Sequence, residues 1–369
     1  MEDGSAVEIL VDSEFWRGRR VFLTGHTGFK GSWLALWLAR MGAQVTGFAL
    51  PAETPSLFDQ AGVGELVTHV EGDIRDLAVL EAAMRASDPQ IVFHLAAQPL
   101  VRKSYEDPVG TYAVNVQGTV HLLDVCRRLR GLESVVCVTS DKCYENREWV
   151  WPYRESDPMG GHDPYSSSKG AAELVIAAYR RSYFEAAGSA GIASVRAGNV
   201  IGGGDWAEDR LVPDIIRALI AGKPVHIRSP QAVRPWQHVL EALGGYLAIA
   251  QRLAQGERQF ADAWNFGPSD KDVRTVGWMV ERLVRNWGKG SFVLDENPGP
   301  HEAQLLRLDS SKIRAALDWR PAMNVKTALD WVVRWHQWVR DGARPRDICH
   351  EQIDEYRALI APNEKEPVR

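Results

Sequence analysis

The feature that most constrains this 369-residue chain is an alternation running through its first two hundred residues. "RRVFLTG" (19–25) is a short apolar run closing on Gly25, the pattern of a buried strand. "GSWLALWLARMG" (31–42) follows with apolar residues at helical spacing and stops on Gly42. Further runs at 43–50, 66–74, 90–97, 133–140 and 191–200 read as strands, and helices are expected over 76–87, 108–130 and 164–186. Strands that are apolar throughout must be covered on both faces, so the alternation predicts a doubly wound, parallel α/β sheet. Such sheets bind ligands at the carboxyl ends of their strands, near the point where the winding reverses. That edge would carry Thr24–Gly31, Asp73, Ala96–Gln98, Ser140–Lys142 and Asn199.

After residue 200 the pattern loosens, with more Pro and Gly and mostly helical segments. The expected organisation is a sheet domain over 13–198 with a return segment near 236–267. A smaller, mostly helical substrate lobe takes 199–235 and 268–355, and a polar mobile tail 356–369. Trp331, Trp335 and Trp338 share one helix face and are expected to pack in a core. Net charge is −5, which argues against a surface that coats a polyanion. Cys126, Cys137, Cys143 and Cys349 show no C-x-x-C spacing, and no His- or Cys-rich cluster suggests a metal site. The opening "MEDGSAVEIL" is acidic where a signal peptide is basic, and no run reaches the ~20 apolar residues of a membrane span. A reduced, cytoplasmic protein is therefore expected.

"TGHTGFKG" (24–31) joins the first strand to the first helix and spaces Gly25, Gly28 and Gly31 as G-x-x-G-x-x-G. Glycines there let the backbone turn tightly and approach a pyrophosphate on the helix N-terminus, so a Rossmann-type dinucleotide site is expected. Lys30 either adds positive charge near phosphate or is a solvated lysine. The carboxylate expected at the end of the second strand for the adenosine ribose is missing: Ala49 stands there, with Glu53 further on. No Arg near that position offers to hold a 2′-phosphate, so NAD is favoured over NADP by omission. Asp73, closing the third strand, is the candidate for the adenine edge.

"DPYSSSKG" (163–170) opens a helix and stacks Tyr165 and Lys169 on one face, four residues apart. An ammonium near a phenol favours the phenolate, which can take an alcohol proton while a nicotinamide takes the hydride. The spacing alone is common by chance and gains its force from the glycine loop. "VTSDKCYEN" (138–146) places Asp141 and Lys142 at the end of the neighbouring strand, either as a proton donor and acceptor or as a surface ion pair.

These segments, with "HLAAQPLVR", "RAGNVIGGGDW" and "RPWQHVLEALGGY", resemble the extended short-chain dehydrogenase/reductase superfamily and, within it, the nucleotide-sugar 4,6-dehydratases, over about residues 15–340. The resemblance implies NAD as cofactor, held by Gly25, Thr27, Gly28, Phe29, Lys30, Gly31, Asp73, Ile74, Leu95, Ala96, Ala97, Asn115, Tyr165 and Lys169. It implies CDP-glucose as substrate, touched by Gln98, Asn199, Arg234 and His301, with Arg307 a further candidate. Ser140 would hydrogen-bond the sugar 4-oxygen, Asp141 would protonate the leaving 6-hydroxyl, and Lys142 would take the C5 proton or steady the enolate electrostatically. A homodimer through the 108–130 and 164–186 helices is also implied. Two other readings stand beside this one. A 4-epimerase or reductase on the same scaffold needs the tyrosine but no elimination acid and base. A non-catalytic NAD-binding protein needs neither Tyr165 nor Lys169.

Overall fold

The computed structural model of the chain describes residues 10–227, 229–294 and 305–361. Its centre is a seven-stranded parallel sheet. Strands β1 (Arg20–Thr24), β2 (Gln44–Ala49), β3 (Thr68–Glu71), β4 (Ile91–His94), β5 (Ser134–Val138) and β6 (Gly191–Ala197) lie in the order 3-2-1-4-5-6. A seventh strand, Ala263–Phe266, pairs with β6 at the edge. The winding reverses between β1 and β4, so the turn after β1 and the loops after β4 and β5 open on one crevice.

Each face of the sheet is covered as its apolar strands require. On one side the helices Phe29–Arg40, Val239–Ala254 and Pro345–Ile360 close a core containing Trp33, Trp37, Leu243, Tyr246 and Ile353. On the other, Leu77–Ser87, Gly118–Cys126 and Pro164–Tyr183 cover Phe22, Phe48, Leu122, Ile176 and Ile192. A separate core joins Ile201, Ile215, Trp236, Leu283, Leu329 and Val332. The helix Val325–Arg340 serves both: Leu329 and Val332 enter that core, while Trp331 and Trp335 enter the sheet-side one. Trp338 packs partly buried against the same side, so the tryptophan stripe is packing.

Two boundaries differ from expectation. The helix expected over 108–130 is three pieces: Pro108–Tyr112, one π-helical turn at Ala113–Gln117, and Gly118–Cys126. The widened turn lets the Asn115 side chain reach across to neighbouring elements, described below. The tail expected from 356 begins later, because Pro345–Ile360 is a helix whose Ile348, Cys349, Ile353 and Tyr356 form a buried stripe. Tyr356 packs edge-on against Trp37 (ring centroids 5.7 Å apart) and donates to the buried Glu241 at 3.1 Å. Residues 345–360 thus belong with the sheet's helical layer, not with the smaller lobe.

Candidate active site

The glycine turn is built so that no side chain could replace Gly25 or Gly31. Gly25 has φ +76°, and a Cβ there would lie 2.7 Å from the Ala96 nitrogen. A Cβ on Gly31 would lie 2.1 Å from the Gly25 oxygen. Gly28 caps the helix Phe29–Arg40 with extended backbone, leaving that helix's first N–H groups open to an anion. Thr27 donates to the Leu50 oxygen at 3.0 Å, and Phe29 packs against the sheet-side core. Across the crevice the loop after β4 is pinned to β1: Leu95 and Ala96 both donate to Thr24 Oγ1 at 3.1 Å, with Ala97 next in the same half-buried loop. This cradle fits a dinucleotide pyrophosphate.

At the end of β3, Asp73 accepts from the Arg75 backbone N–H at 2.8 Å and from its guanidinium at 2.9 Å. Arg75 holds the Asp73 carboxyl below its usual range. The two, with Asp76, Leu77 and Ala78, line a surface cleft of about 630 Å³. Arg75 thus stands just past the third strand with its charge engaged by Asp73. Ile74 is buried against Gly118.

Tyr165 and Lys169 lie on the inner face of Pro164–Tyr183, a helix started by Asp163, which accepts from the Ser166 N–H at 2.9 Å, and by Pro164 in its first turn. Both are buried. Burial lowers Lys169 to about 8, against the raising effect of Glu173, Cys143 and Cys137. The phenol does not behave as expected. Burial raises Tyr165 to about 12; the nearby Ser140 hydroxyl and Arg210 oppose the rise and Asp141 adds to it. Desolvation of the anion outweighs every cation of the ligand-free chain.

Beside the tyrosine, Ser140 caps the short turn Asp141–Cys143, accepting from the Lys142 N–H at 3.2 Å and donating to Asp141 Oδ1 at 3.0 Å. Asp141 is 3% exposed, and its Oδ2 has no hydrogen-bond partner among the described residues. Burial lifts its carboxyl above the usual range; Lys142, Ser140, Arg234 and Lys30 oppose the rise. Lys142 is half-buried. Lys30, also half-buried, extends from the glycine turn into the same space. It is lowered to about 7 by burial and by Arg210 and Lys169, with Asp141 and Asp205 pulling the other way.

This couple is clamped from below. One helical turn past Lys169, Glu173 accepts from Thr139 Oγ1, from Ser194 Oγ at 2.7 Å and twice from Arg196 at 2.9 and 2.7 Å. Arg196 also donates to the Tyr144 hydroxyl at 2.7 Å, which donates to Asn265 at 2.7 Å. Thr139 precedes the Ser140–Lys142 turn and Tyr144 follows it, so one buried ion pair grips both ends. Sequence reading missed Glu173 and Arg196; the one available signal was Glu173 falling four residues beyond Lys169 on the same helix face.

The remaining predicted contacts divide. Asn115 donates to Ser168 Oγ at 2.8 Å and to the Gln98 oxygen at 3.1 Å, and accepts from the Gln98 N–H at 2.8 Å. It ties the tyrosine helix to the loop after β4. The Gln98 amide is engaged by Leu100 and by Thr111 at 2.9 Å, which fixes the shape of its own loop. Asn199 starts a short strand, Asn199–Ile201, beside Trp236–His238. Arg234 is buried in electrostatic contact with Asp141. Arg307 is ion-paired with Asp270 at 2.9 Å. His301 lies outside the described residues. Arg210, not singled out from sequence, pairs with Asp205 at 3.3 Å and faces Tyr165 and Lys30 electrostatically.

A family model described as GDP-mannose 4,6 dehydratase matches residues 22–331. The chain is 54% identical over 338 residues to the CDP-glucose 4,6-dehydratase of Salmonella typhimurium, a match spanning 90% of this chain and 94% of that protein. A dTDP-glucose 4,6-dehydratase from Bacillus anthracis, solved in complex with NAD, aligns with TM-score 0.73 at 21% identity over 89% of this chain and 100% of that one. A UDP-glucose 4-epimerase from Thermotoga maritima aligns with TM-score 0.74 at 21% identity over 87% of this chain and 99% of that one. At such identities the solved structures speak to the fold, which dehydratases and epimerases share.

Proposed function

This chain is a member of the GDP-mannose 4,6 dehydratase family, and from that membership we propose that it is a hydro-lyase converting CDP-glucose to CDP-4-keto-6-deoxyglucose with NAD. The observation that carries the reading is Asp141: a buried carboxyl, raised above its usual range, bonded to Ser140 and in electrostatic contact with Tyr165. An epimerase uses the tyrosine face and leaves Asp141 and Lys142 without a task. The 54% identity to the Salmonella enzyme supports cytidine as the nucleobase.

When bound, NAD supplies a hydride acceptor for C4, a positive ring charge in its oxidised form, and the hydride that returns to C6. Gly25, Gly28 and Gly31 shape its cradle, and Lys30 and Lys169 are the cations beside it. Tyr165 takes the 4-hydroxyl proton, helped by Ser140 at the same oxygen. The resulting carbonyl acidifies the C5 hydrogen. Lys142 removes that proton while Asp141 protonates the departing 6-hydroxyl, and Lys142 then returns its proton to C5. Arg234 and Arg210 give positive charge on the side where a diphosphate would lie.

The decisive test is incubation with NAD and CDP-glucose in heavy water, followed by mass spectrometry of the product. Loss of one water with gain of one non-exchangeable deuterium is expected. A product of unchanged mass would establish epimerisation instead. We also propose a homodimer through the helices around 108–126 and 164–183, whose Val109, Tyr112, Leu174 and Tyr183 are exposed apolar groups. A cytoplasmic location is proposed on the four buried, unbridged cysteines; among the described residues no helix is long and apolar enough to cross a membrane.

A further inference from the structure

The dehydration proposed above oxidises the sugar and later reduces it with the same hydride, so the reduced cofactor must stay in place between the two steps. The chain that leaves the sheet after β6 runs across the mouth of the cofactor crevice. Trp33 Nε1, on the helix after β1, donates to the Gly203 oxygen at 3.0 Å. A Cβ on Gly202 would lie 3.0 Å from the Phe29 ring, and one on Gly204 would lie 2.6 Å from Leu57. Trp206 Nε1 donates at 2.9 Å to Gln60 Oε1, on the short helix Leu57–Gln60 after β2. Asp209 then pairs at 2.9 Å with Arg102, on the helix Val101–Glu106 after β4. In the sheet, β2 and β4 flank β1. A segment anchored on both flanks therefore passes over the end of β1, where the glycine turn begins.

We propose that Arg102 is a positioning residue for the cofactor: through Asp209 it fastens residues 202–210 as a strap across the crevice and slows escape of the dinucleotide. The two ends of the strap are held differently. Gly202–Asp205 is buried, whereas Glu208 and Asp209 are exposed. Packing fixes the inner end; an ion pair whose side chains are 35% and 36% exposed holds the outer one. A pair so open to water is a fastening that can be undone. Arg217 braces the middle, donating to the Trp206 oxygen at 2.6 Å and the Ala207 oxygen at 3.3 Å. The backbone at Asp209 is left-handed, with φ +58°, a conformation that Asp and Asn tolerate better than most residues. Successive side chains part there: Asp209 goes to Arg102, and Arg210 turns back to Asp205 at 3.3 Å.

The need for retention rests on the dehydration reading, but the test does not. NADH is bound to the purified enzyme without sugar, and its release into excess NAD is followed by stopped-flow fluorescence. Arg102→Gln and Asp209→Asn are each expected to release it about two- to fivefold faster, the range of a partly exposed ion pair. Asn suits the left-handed backbone, so Asp209→Asn removes the charge and keeps the turn. The double variant should be no faster than either single variant, because the pair acts as a unit. Direct attraction between Arg102 and the cofactor phosphates would instead make Arg102→Gln faster and Asp209→Asn slower. That pattern, unchanged release in both single variants, or increases that multiply in the double variant would overturn the strap. A separate incubation of wild type with NAD and CDP-glucose reads the dehydration itself; absence of water loss there defeats that reading and leaves the release rates to decide the strap.

Discussion

Two buried carboxylates at the end of β5 show how differently one fold treats the same chemical group. Glu173 is saturated: Thr139, Ser194 and a bidentate Arg196 all donate to it. Those partners hold its pKa below the ordinary range despite complete burial. Asp141 sits at the start of the turn that follows, equally buried, with one serine hydrogen bond and an open oxygen, and its pKa is raised. The first arrangement suits structure, because a fully satisfied ion pair has no reason to change protonation state. The second suits proton transfer, because its charge is costly and a substrate hydroxyl can relieve the cost.

The sharpest way to break this contrast is to remove one member of each pair. Glu173→Leu strands the Arg196 charge in the interior and should cost about 3–5 kcal/mol of stability, read by denaturant unfolding. Asp141→Asn should cost no stability at neutral pH while lowering the dehydration rate by about 10²–10⁴. Equal losses of stability in the two variants would erase the distinction. Lys142→Met should spare C4 oxidation and block elimination, so that absorbance of reduced cofactor accumulates at 340 nm while the dehydration rate falls about 10²-fold or more.

The pH dependences should run in opposite senses. Glu173 binds its proton less readily folded than unfolded, so its contribution is present above the ordinary carboxylate range and is lost as pH falls through its lowered native pKa. Asp141 binds its proton more readily when folded, so it costs stability at neutral pH and the cost disappears on acidification through its raised pKa. Accordingly, Asp141→Asn should melt above wild type near pH 7.5, with the gap closing as pH approaches 4, as a Tm series would show. The smallest effect is expected at the adenosine end. The Arg75–Asp73 pair is largely open to solvent, so Arg75→Ala should change stability by less than about 1 kcal/mol, with NAD affinity, by titration, moving only a few-fold.

The parallel sheet, the glycine turn and the Tyr165–Lys169 face were legible because each depends on spacing along one short segment. Apolar runs, G-x-x-G-x-x-G and a four-residue interval are local facts. The edge strand Ala263–Phe266 had no such period, being four residues inside a loosely patterned stretch. The helical stripe ending in Tyr356 was present in the letters, but the expected boundary at 355 cut through it and assigned its first part to the smaller lobe. The hydrogen bonds of Gln98 to Leu100 and Thr111 were not legible either, because they depend on how the loop after β4 folds back on the next helix.

From the letters alone came the layered sheet, the dinucleotide turn, and the residue types needed to oxidise an alcohol. These follow from backbone periodicity and side-chain chemistry, which are written in order along the chain. What folding decided was the direction in which each group's proton affinity moves. Tyr165 is lifted and not lowered, Asp141 is raised and Glu173 is lowered because desolvation and hydrogen bonding depend on which distant residues close around each one.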